Sequence, residues 1–263
     1  MARFTTLYSG SSGNCAVVEE HGRYLLIDVG AHCRPTLKAL ELLGLRPQDL
    51  LGVLVTHEHI DHIRGLRVLL KQLSVPLYAT AATLDALWES DAVPDEARLE
   101  EVEGGPFSVE GFTIQAFRTS HDAVGSCGYR VQTPAGRVVS LATDLGKMTA
   151  EVFCMLEGAH VVALESNYDR DMLQTGPYPA YLKRRIASVQ GHLSNKDSAA
   201  AVAQLVGGGC SQIVLCHLSE ENNRPDLVLK AVEEALIESG VTLPPDGTIQ
   251  VARRYEANDW LTF

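Results

Sequence analysis

The chain is 263 residues long, enough to bury a substantial core in one large domain or two small ones. Hydrophobic residues make up 46% and charged residues 21%, ordinary for a globular fold, and no apolar run approaches the roughly eighteen residues that span a bilayer. A net charge of −11 argues against a general nucleic-acid binder: such a partner needs either a local basic patch or metal cations inside a cleft.

Met1-Ala2-Arg3-Phe4 runs directly into a β-like segment without an apolar leader, so a cytoplasmic location with no membrane association is expected. Strand-like runs follow from Phe4 to Tyr8, Ala16 to Glu19 and Tyr24 to Val29. Pro35 to Leu43 has helical spacing, and Gly44 stands where a C-terminal cap belongs. Gly52 to Thr56 reads as a strand, Ile63 to Leu73 as a helix, Val75 to Ala79 as a strand and Thr83 to Ser90 as a helix. Two hairpins are predicted, Phe107–Val109 with Phe112–Arg118 and Tyr129–Thr133 with Arg137–Ala142. Beyond Thr149, helices and strands alternate through Val161–Leu164, Lys196–Val206, Gln212–Cys216, Asp226–Ser239 and Thr248–Arg253. Hairpins interleaved with helices in both halves predict two packed sheets covered by helices, an αββα sandwich of the α/β class formed by a single domain over residues 1–263. The six cysteines (Cys15, Cys33, Cys127, Cys154, Cys210 and Cys216) contain no C-x-x-C pair and read as reduced, mostly core-filling thiols.

The chemistry concentrates in His57-Glu58-His59-Ile60-Asp61-His62, an H-x-H-x-D-H array directly after an apolar strand. Imidazole and carboxylate donors without a thiolate suit Zn²⁺, Mn²⁺ or Fe²⁺ rather than a structural zinc site. Further polar residues close other apolar runs: Asp28 after Leu25-Leu26-Ile27, His121 after Phe117–Ser120, Asp144 after Val138–Thr143, and His217 after Ile213–Cys216. A site on a sheet rim requires that pattern, because each strand end delivers one rigidly placed side chain.

Asp28, the His57–His62 array, His121, Asp144 and His217, in this order, resemble the metallo-β-lactamase superfamily. The resemblance implies a four-layer αββα sandwich with two mixed sheets and two divalent metal ions, Zn or Mn with Fe as a further option. It implies His57, His59 and His121 on one ion, Asp61, His62 and His217 on the other, and Asp144 bridging both. Asp28 would hydrogen-bond the ligand loop and hold its geometry. An acidic bridge at Asp144 favours phosphodiester or thioester chemistry, and the short stretch from Asp144 to His217 leaves no room for a large inserted nuclease domain. Ser9-Gly10-Ser11-Ser12-Gly13-Asn14-Cys15, Leu164-Glu165-Ser166-Asn167-Tyr168-Asp169, Gly176-Pro177-Tyr178-Pro179, Gly191-His192-Leu193-Ser194-Asn195 and His217–Asn223 are similar to the WalJ/YycJ-like group, associated with DNA exonuclease action from the 5′ end.

The residues support such chemistry independently, since two ions can clamp the attacking and leaving oxygens while a bound water becomes hydroxide near neutral pH. Asp61 is a candidate for the catalytic metal centre and His192 for the general acid, with Glu165 orienting it. Ser194 looks like the N-cap of the Lys196–Val206 helix, with Asp197 completing an imperfect capping box beside His192. Candidate substrate contacts are Ser9, Ser11, Ser12 and Asn14 for a terminal phosphate, Asn167, Ser194 and Ser219 around the site, and Lys183, Arg184 and Arg185 on a DNA backbone. Tyr178 and Tyr181 are placed either to stack on bases or simply to pack.

The expected function is therefore a metal-dependent phosphodiesterase acting as a 5′→3′ exonuclease on DNA, duplex with a 5′ end, with no obligate protein partner inferable. The alternatives are a hydrolase of a small ester, thioester or cyclic nucleotide, and a metal-binding regulatory protein without turnover.

Overall fold

The computed structural model describes residues 1–102 and 105–263. One seven-stranded sheet is built mainly from the first half of the chain. Its strands are β1 (Ala2–Tyr8), β2 (Cys15–Glu20), β3 (Arg23–Ile27), β4 (Leu50–Leu54), β5 (Leu77–Ala79), β6 (Leu99–Glu101) and β14 (Leu261–Thr262), ordered β14-β1-β2-β3-β4-β5-β6. The other sheet takes β7 (Phe107–Val109), β8 (Phe112–Arg118), β9 (Cys127–Gln132), β10 (Val138–Ala142), β11 (Val161–Glu165), β12 (Gln212–Cys216) and β13 (Thr248–Val251), ordered β13-β12-β11-β10-β9-β8-β7. Both sheets are mixed: pairing is antiparallel from β1 to β3 and from β7 to β10, then parallel from β3 to β6 and from β10 to β13.

Four layers follow from where the apolar side chains go. Phe4, Val18, Leu25 and Ile27 from one sheet meet Tyr129, Val131, Val161 and Val214 from the other, forming the core between the sheets. On the outer face of the first sheet, Leu26, Val53 and Leu77 pack on Leu40 of α1 (Cys33–Leu42), Leu66 and Leu69 of α3 (Leu66–Leu73) and Leu87 of α4 (Ala81–Glu89). On the outer face of the second, Val162, Leu164 and Ile213 pack on Val152 of α5 (Ala150–Leu156), Val202 of α8 (Asn195–Gly207) and Val228 of α9 (Pro225–Glu238). Strands with both faces covered read as continuous apolar runs. That is why β3, β4 and β12 were legible without alternation.

The expected Ile63–Leu73 helix is two helices, α2 (Ile60–Ile63) and α3, divided at Arg64-Gly65. The Gly65 N–H donates to Val29 O at 2.9 Å, and a Cβ at Gly65 would stand 2.2 Å from Ala31 O, so the backbone approaches too closely for any other residue. Short β6 and β14 carried too little pattern to be read from sequence. Two further helices, α6 (Arg170–Thr175) and α7 (Ala180–Ile186), form a flap with its own small apolar cluster of Tyr168, Leu173 and Ile186. The β7–β8 turn at Glu110-Gly111 has φ of 48° and 89°, the two positive values that a tight hairpin of the predicted kind needs. Ser194 caps α8 by accepting from Asp197 N at 3.2 Å.

The sheets are tied together just below the H-x-H-x-D-H loop. Tyr129 on β9, fully buried, donates its hydroxyl to Val55 O at 2.8 Å, and Cys127 N donates to Thr56 O at 3.0 Å. Tyr129→Phe would leave the Val55 carbonyl without that donor in the interior. Urea titration of this variant should show a loss of about 1–3 kcal/mol with an unchanged m-value. All six cysteines are free and only Cys154 is exposed. A native thiol assay should therefore register one fast-reacting thiol, rising to six on unfolding.

Candidate metal centre

The ligand loop emerges from β4 and is fixed by a buried carboxylate before any ion is considered. Asp28, one residue past β3, accepts from Thr56 N at 2.8 Å through Oδ1 and from Thr56 Oγ1 at 2.9 Å through Oδ2. The same Oδ2 lies 2.7 Å from His62 Nδ1. His62 is thereby held through Nδ1, and its Nε2 turns towards Asp144 Oδ2 at 3.1 Å and Asp61 Oδ2 at 3.6 Å. The loop is pinned from below by backbone: Asn14 N donates to Asp61 O and Gly30 N to Asn14 O, each at 2.8 Å. A Cβ at Gly30 would come within 1.7 Å of Asp61 O, so only glycine lets β3's end pass beneath the loop.

The donor atoms fall into overlapping groups: His57, His59 and His121; Asp61, His62 and His217; His57, His62 and Asp144; and Asp144, Glu165, His192 and His217. Asp144, Asp28 and His217, each closing a strand, adopt left-handed φ of 56°, 62° and 58°. This sharp turn lets β3, β10 and β12 each deliver one side chain to the same rim.

Glu165, at the end of β11, is fully buried and completely engaged. Its Oε1 lies 2.8 Å from His192 Nδ1 and 2.9 Å from His217 Nδ1, while Oε2 accepts from Leu145 N and Leu193 N at 3.0 Å. His217 Nε2 then points to Asp61 Oδ2 at 3.4 Å. His121 holds the Gly191 carbonyl through Nδ1 at 3.0 Å, leaving Nε2 3.6 Å from Asp144 Oδ1.

Burial pushes the imidazoles of His57 and His121 below the usual histidine range, with charge on His62 adding to the effect at His57, which favours the neutral, metal-ligating form of both. Burial also opposes charging of His62 and His217. At His62 it is outweighed by Asp28 and Asp144, and at His217 by Asp144, Asp61 and Glu165, which lift His217 to about 10. Burial resists ionisation of Asp144, yet His217 and His62 hold it well below the usual carboxylate range. Protons on His62 and His217 thus occupy sites that a cation would take instead.

Divalent metal ions fit this donor set. Among the described residues, His57 Nε2 and Asp144 Oδ2 are buried polar atoms with no hydrogen-bond partner, although Asp144 Oδ2 lies near His62. Buried polar atoms are rarely left so unless something binds them. The geometry therefore defines a candidate divalent-metal centre on an αββα scaffold.

Comparison with known proteins narrows the class. Residues 23–218 match the model of the beta-lactamase superfamily domain. An exodeoxyribonuclease YycJ from Bacillus anthracis is 34% identical over 90% of this chain and 90% of its own. An exodeoxyribonuclease WalJ from Streptococcus pneumoniae (strain D39) is 36% identical over 86% and 84%. The crystal structure of the metallo-beta-lactamase fold protein YhfI from Bacillus subtilis superposes with a TM-score of 0.72 at 17% identity, covering 98% of this chain and 100% of that one. The chain belongs to the metallo-β-lactamase superfamily, within the group of the YycJ and WalJ exodeoxyribonucleases.

The candidate substrate contacts separate into two sets. A cavity of about 360 Å³ above the centre is lined by Ser11, Asn167, Arg185 and Ser219 together with His59, Asp61, His121, Asp144, His192 and His217. The remaining candidates lie outside that lining. Ser9 Oγ is buried and accepts from His217 N at 2.7 Å, and Asn14 accepts from Gly10 N while its amide nitrogen sits 3.0 Å from His62 Nε2. The Ser12 carbonyl accepts from Arg64, and Ser194 is occupied as the α8 cap. Lys183 Nζ donates to Gln174 O and Gly176 O at 2.7 Å, stapling the α6–α7 turn, whereas Arg184 is exposed. Arg185 is ion-paired with Asp122. Sequence reasoning missed Thr56, whose hydroxyl also lies 3.0 Å from His57 Nδ1; its place directly before His57 was the available signal.

If Asp28 holds His62 as described, Asp28→Asn should weaken metal binding about 10–100-fold with the fold intact. Competition against a chromogenic chelator measures this, and an unchanged affinity would show that the Asp28 contact does not orient the ligand.

Proposed function

We propose that this chain is a single-domain, two-metal 5′→3′ exonuclease acting on DNA, with duplex ends as substrate. The names of its relatives, exodeoxyribonucleases at 34% and 36% identity over most of both chains, support the substrate class. The observation that carries the mechanism is the closeness of Asp144 to both donor triads, to His57 of one and to His62 and His217 of the other. In this reading His57, His59 and His121 hold one ion, Asp61, His62 and His217 the second, and Asp144 joins them. When bound, such a pair supplies an activated water and charge stabilisation for in-line displacement at phosphorus.

The protein groups divide the remaining work. Asp61 and Asp144 contribute the negative charge that retains cations in an enclosed site. His192 lines the cavity with Nδ1 held by Glu165, which leaves Nε2 to hand a proton to the leaving oxygen. Glu165 aligns His192 and His217 from one carboxylate oxygen, coupling the proton donor to the ligand set. Ser11, Asn167 and Ser219 offer polar contacts to phosphate oxygens at the rim, and Arg185 a charged one.

Incubation with 5′- and 3′-labelled DNA and RNA under Mn²⁺, Mg²⁺ and Zn²⁺ tests the reading; early release of the 5′ label from DNA is expected. Release of the 3′ label first, or hydrolysis of cyclic nucleotides alone, would overturn it. Asp61→Ala and Asp144→Ala should abolish turnover without altering far-ultraviolet circular dichroism. His192→Ala should retain metal and lose about 10²–10⁴-fold in turnover. Loss of metal from that variant would move His192 among the ligands.

A further inference from the structure

The metal cavity has a second, apolar part that phosphodiester chemistry does not require. Besides its ligands it is lined by Ile60, Tyr178, Leu182 and Ile186. Ile60 sits between the ligands His59 and Asp61, yet 61% of this large side chain is exposed. Leu182 and Ile186 stand four residues apart on α7, the spacing that brings side chains to one helix face, and Tyr178 sits in the turn just before that helix. That face is not loose. Tyr178 and Leu182 are half-buried against the small cluster of Tyr168, Leu173 and Ile186, and Lys183 staples the turn that carries Tyr178. His192 N also donates to Ile186 O at 2.8 Å, fixing the end of α7 to the segment bearing the proposed proton donor. Tyr181, by contrast, is 68% exposed and stands outside the cavity lining.

We infer that Tyr178, Leu182 and Ile60 form a subsite for the base of the terminal nucleotide, resting on the exonuclease reading above. A flat aromatic or heteroaromatic face gains most from a rigid, partly desolvated ring and aliphatic edge, and every base has such a face, so the subsite reads the presence of a base rather than its identity. The cavity volume of about 360 Å³ lies near the low end of the roughly 300–1,000 Å³ seen for small-molecule sites, room for one nucleotide rather than several. Base and scissile phosphate then share a single cleft, with phosphate on the metal side and base on the α7 side.

The test compares kcat/KM for duplex DNA ending in an ordinary 5′ nucleotide with the same duplex ending in a tetrahydrofuran abasic residue. The natural chain should favour the base-bearing end about ten- to hundredfold, the worth of one stacked base. That ratio should collapse towards unity in Tyr178→Ala, survive in Tyr178→Phe, and stay at the natural value in Tyr181→Ala. Equal rates on both ends in the natural chain, or an undiminished ratio in Tyr178→Ala, overturns the subsite while leaving the exonuclease reading standing. If no DNA end is hydrolysed, the exonuclease reading fails, and calorimetry then decides the subsite alone. Thymidine 5′-monophosphate should bind the natural chain more tightly than deoxyribose 5-phosphate, with the difference lost in Tyr178→Ala; equal affinities would overturn it.

Discussion

The metal centre depends on burying carboxylates between two sheets, where an unpaired charge is strongly destabilising. Asp28, Asp144 and Glu165 are all essentially inaccessible to solvent, but they are compensated unequally. Asp28 is satisfied by Thr56 and His62, and Glu165 by two backbone N–H groups and two imidazoles. Asp144 retains a buried oxygen without a hydrogen bond. On the proposed reading, the saturated carboxylates fix geometry and the unsaturated one is left for cations. The same logic explains why His57 keeps a bare Nε2 while its Nδ1 faces Thr56.

The two sheets make this burial possible because they repeat one plan, antiparallel strands first and parallel strands after. Strand ends from both sheets therefore reach a common rim. Asp28, Asp144 and His217 each leave their strand through a left-handed residue, a conformation costing on the order of 1–3 kcal/mol at non-glycine positions. Packing on both faces of β3, β10 and β12 and the hydrogen bonds to Thr56, Glu165 and Ser9 hold these turns in place. Strain concentrated at these three turns is what a site assembled from three strand ends entails.

How much of this was legible follows from the kind of signal each part leaves. Strands buried on both faces appear as apolar runs, and the polar residue ending each one stands out, so the fold and the donor set could be read together. The αL turns were silent, because glycine is the usual marker and aspartate and histidine occupy these positions. The α2–α3 break was silent too: Gly65 is needed for its approach to Ala31, a contact distant in the pattern of helical spacing. The Ser9–Asn14 loop suggested a phosphate cradle, but its Gly10 and Asn14 N–H groups are spent inside the protein, on Asn14 Oδ1 and Asp61 O. Composition alone could not distinguish a loop that offers its backbone to a ligand from one threaded beneath a ligand-bearing turn.

The basic run on α7 makes the same point about charge. Lys183, Arg184 and Arg185 are adjacent in sequence but diverge in space: one is a staple, one is solvent-facing, and one lines the cavity already paired with Asp122. In a chain of net charge −11, such a cation contributes less to attracting phosphate than its position suggests, because its field is largely cancelled by its partner. The remaining source of positive potential at the cavity floor is whatever the carboxylates and imidazoles hold there. Divalent ions in that donor set would supply it at the point of reaction, where low accessibility leaves it least screened. An acidic surface is then compatible with a polyanionic substrate: long-range repulsion disfavours binding along the body of the polymer, and short-range attraction at the centre favours its end.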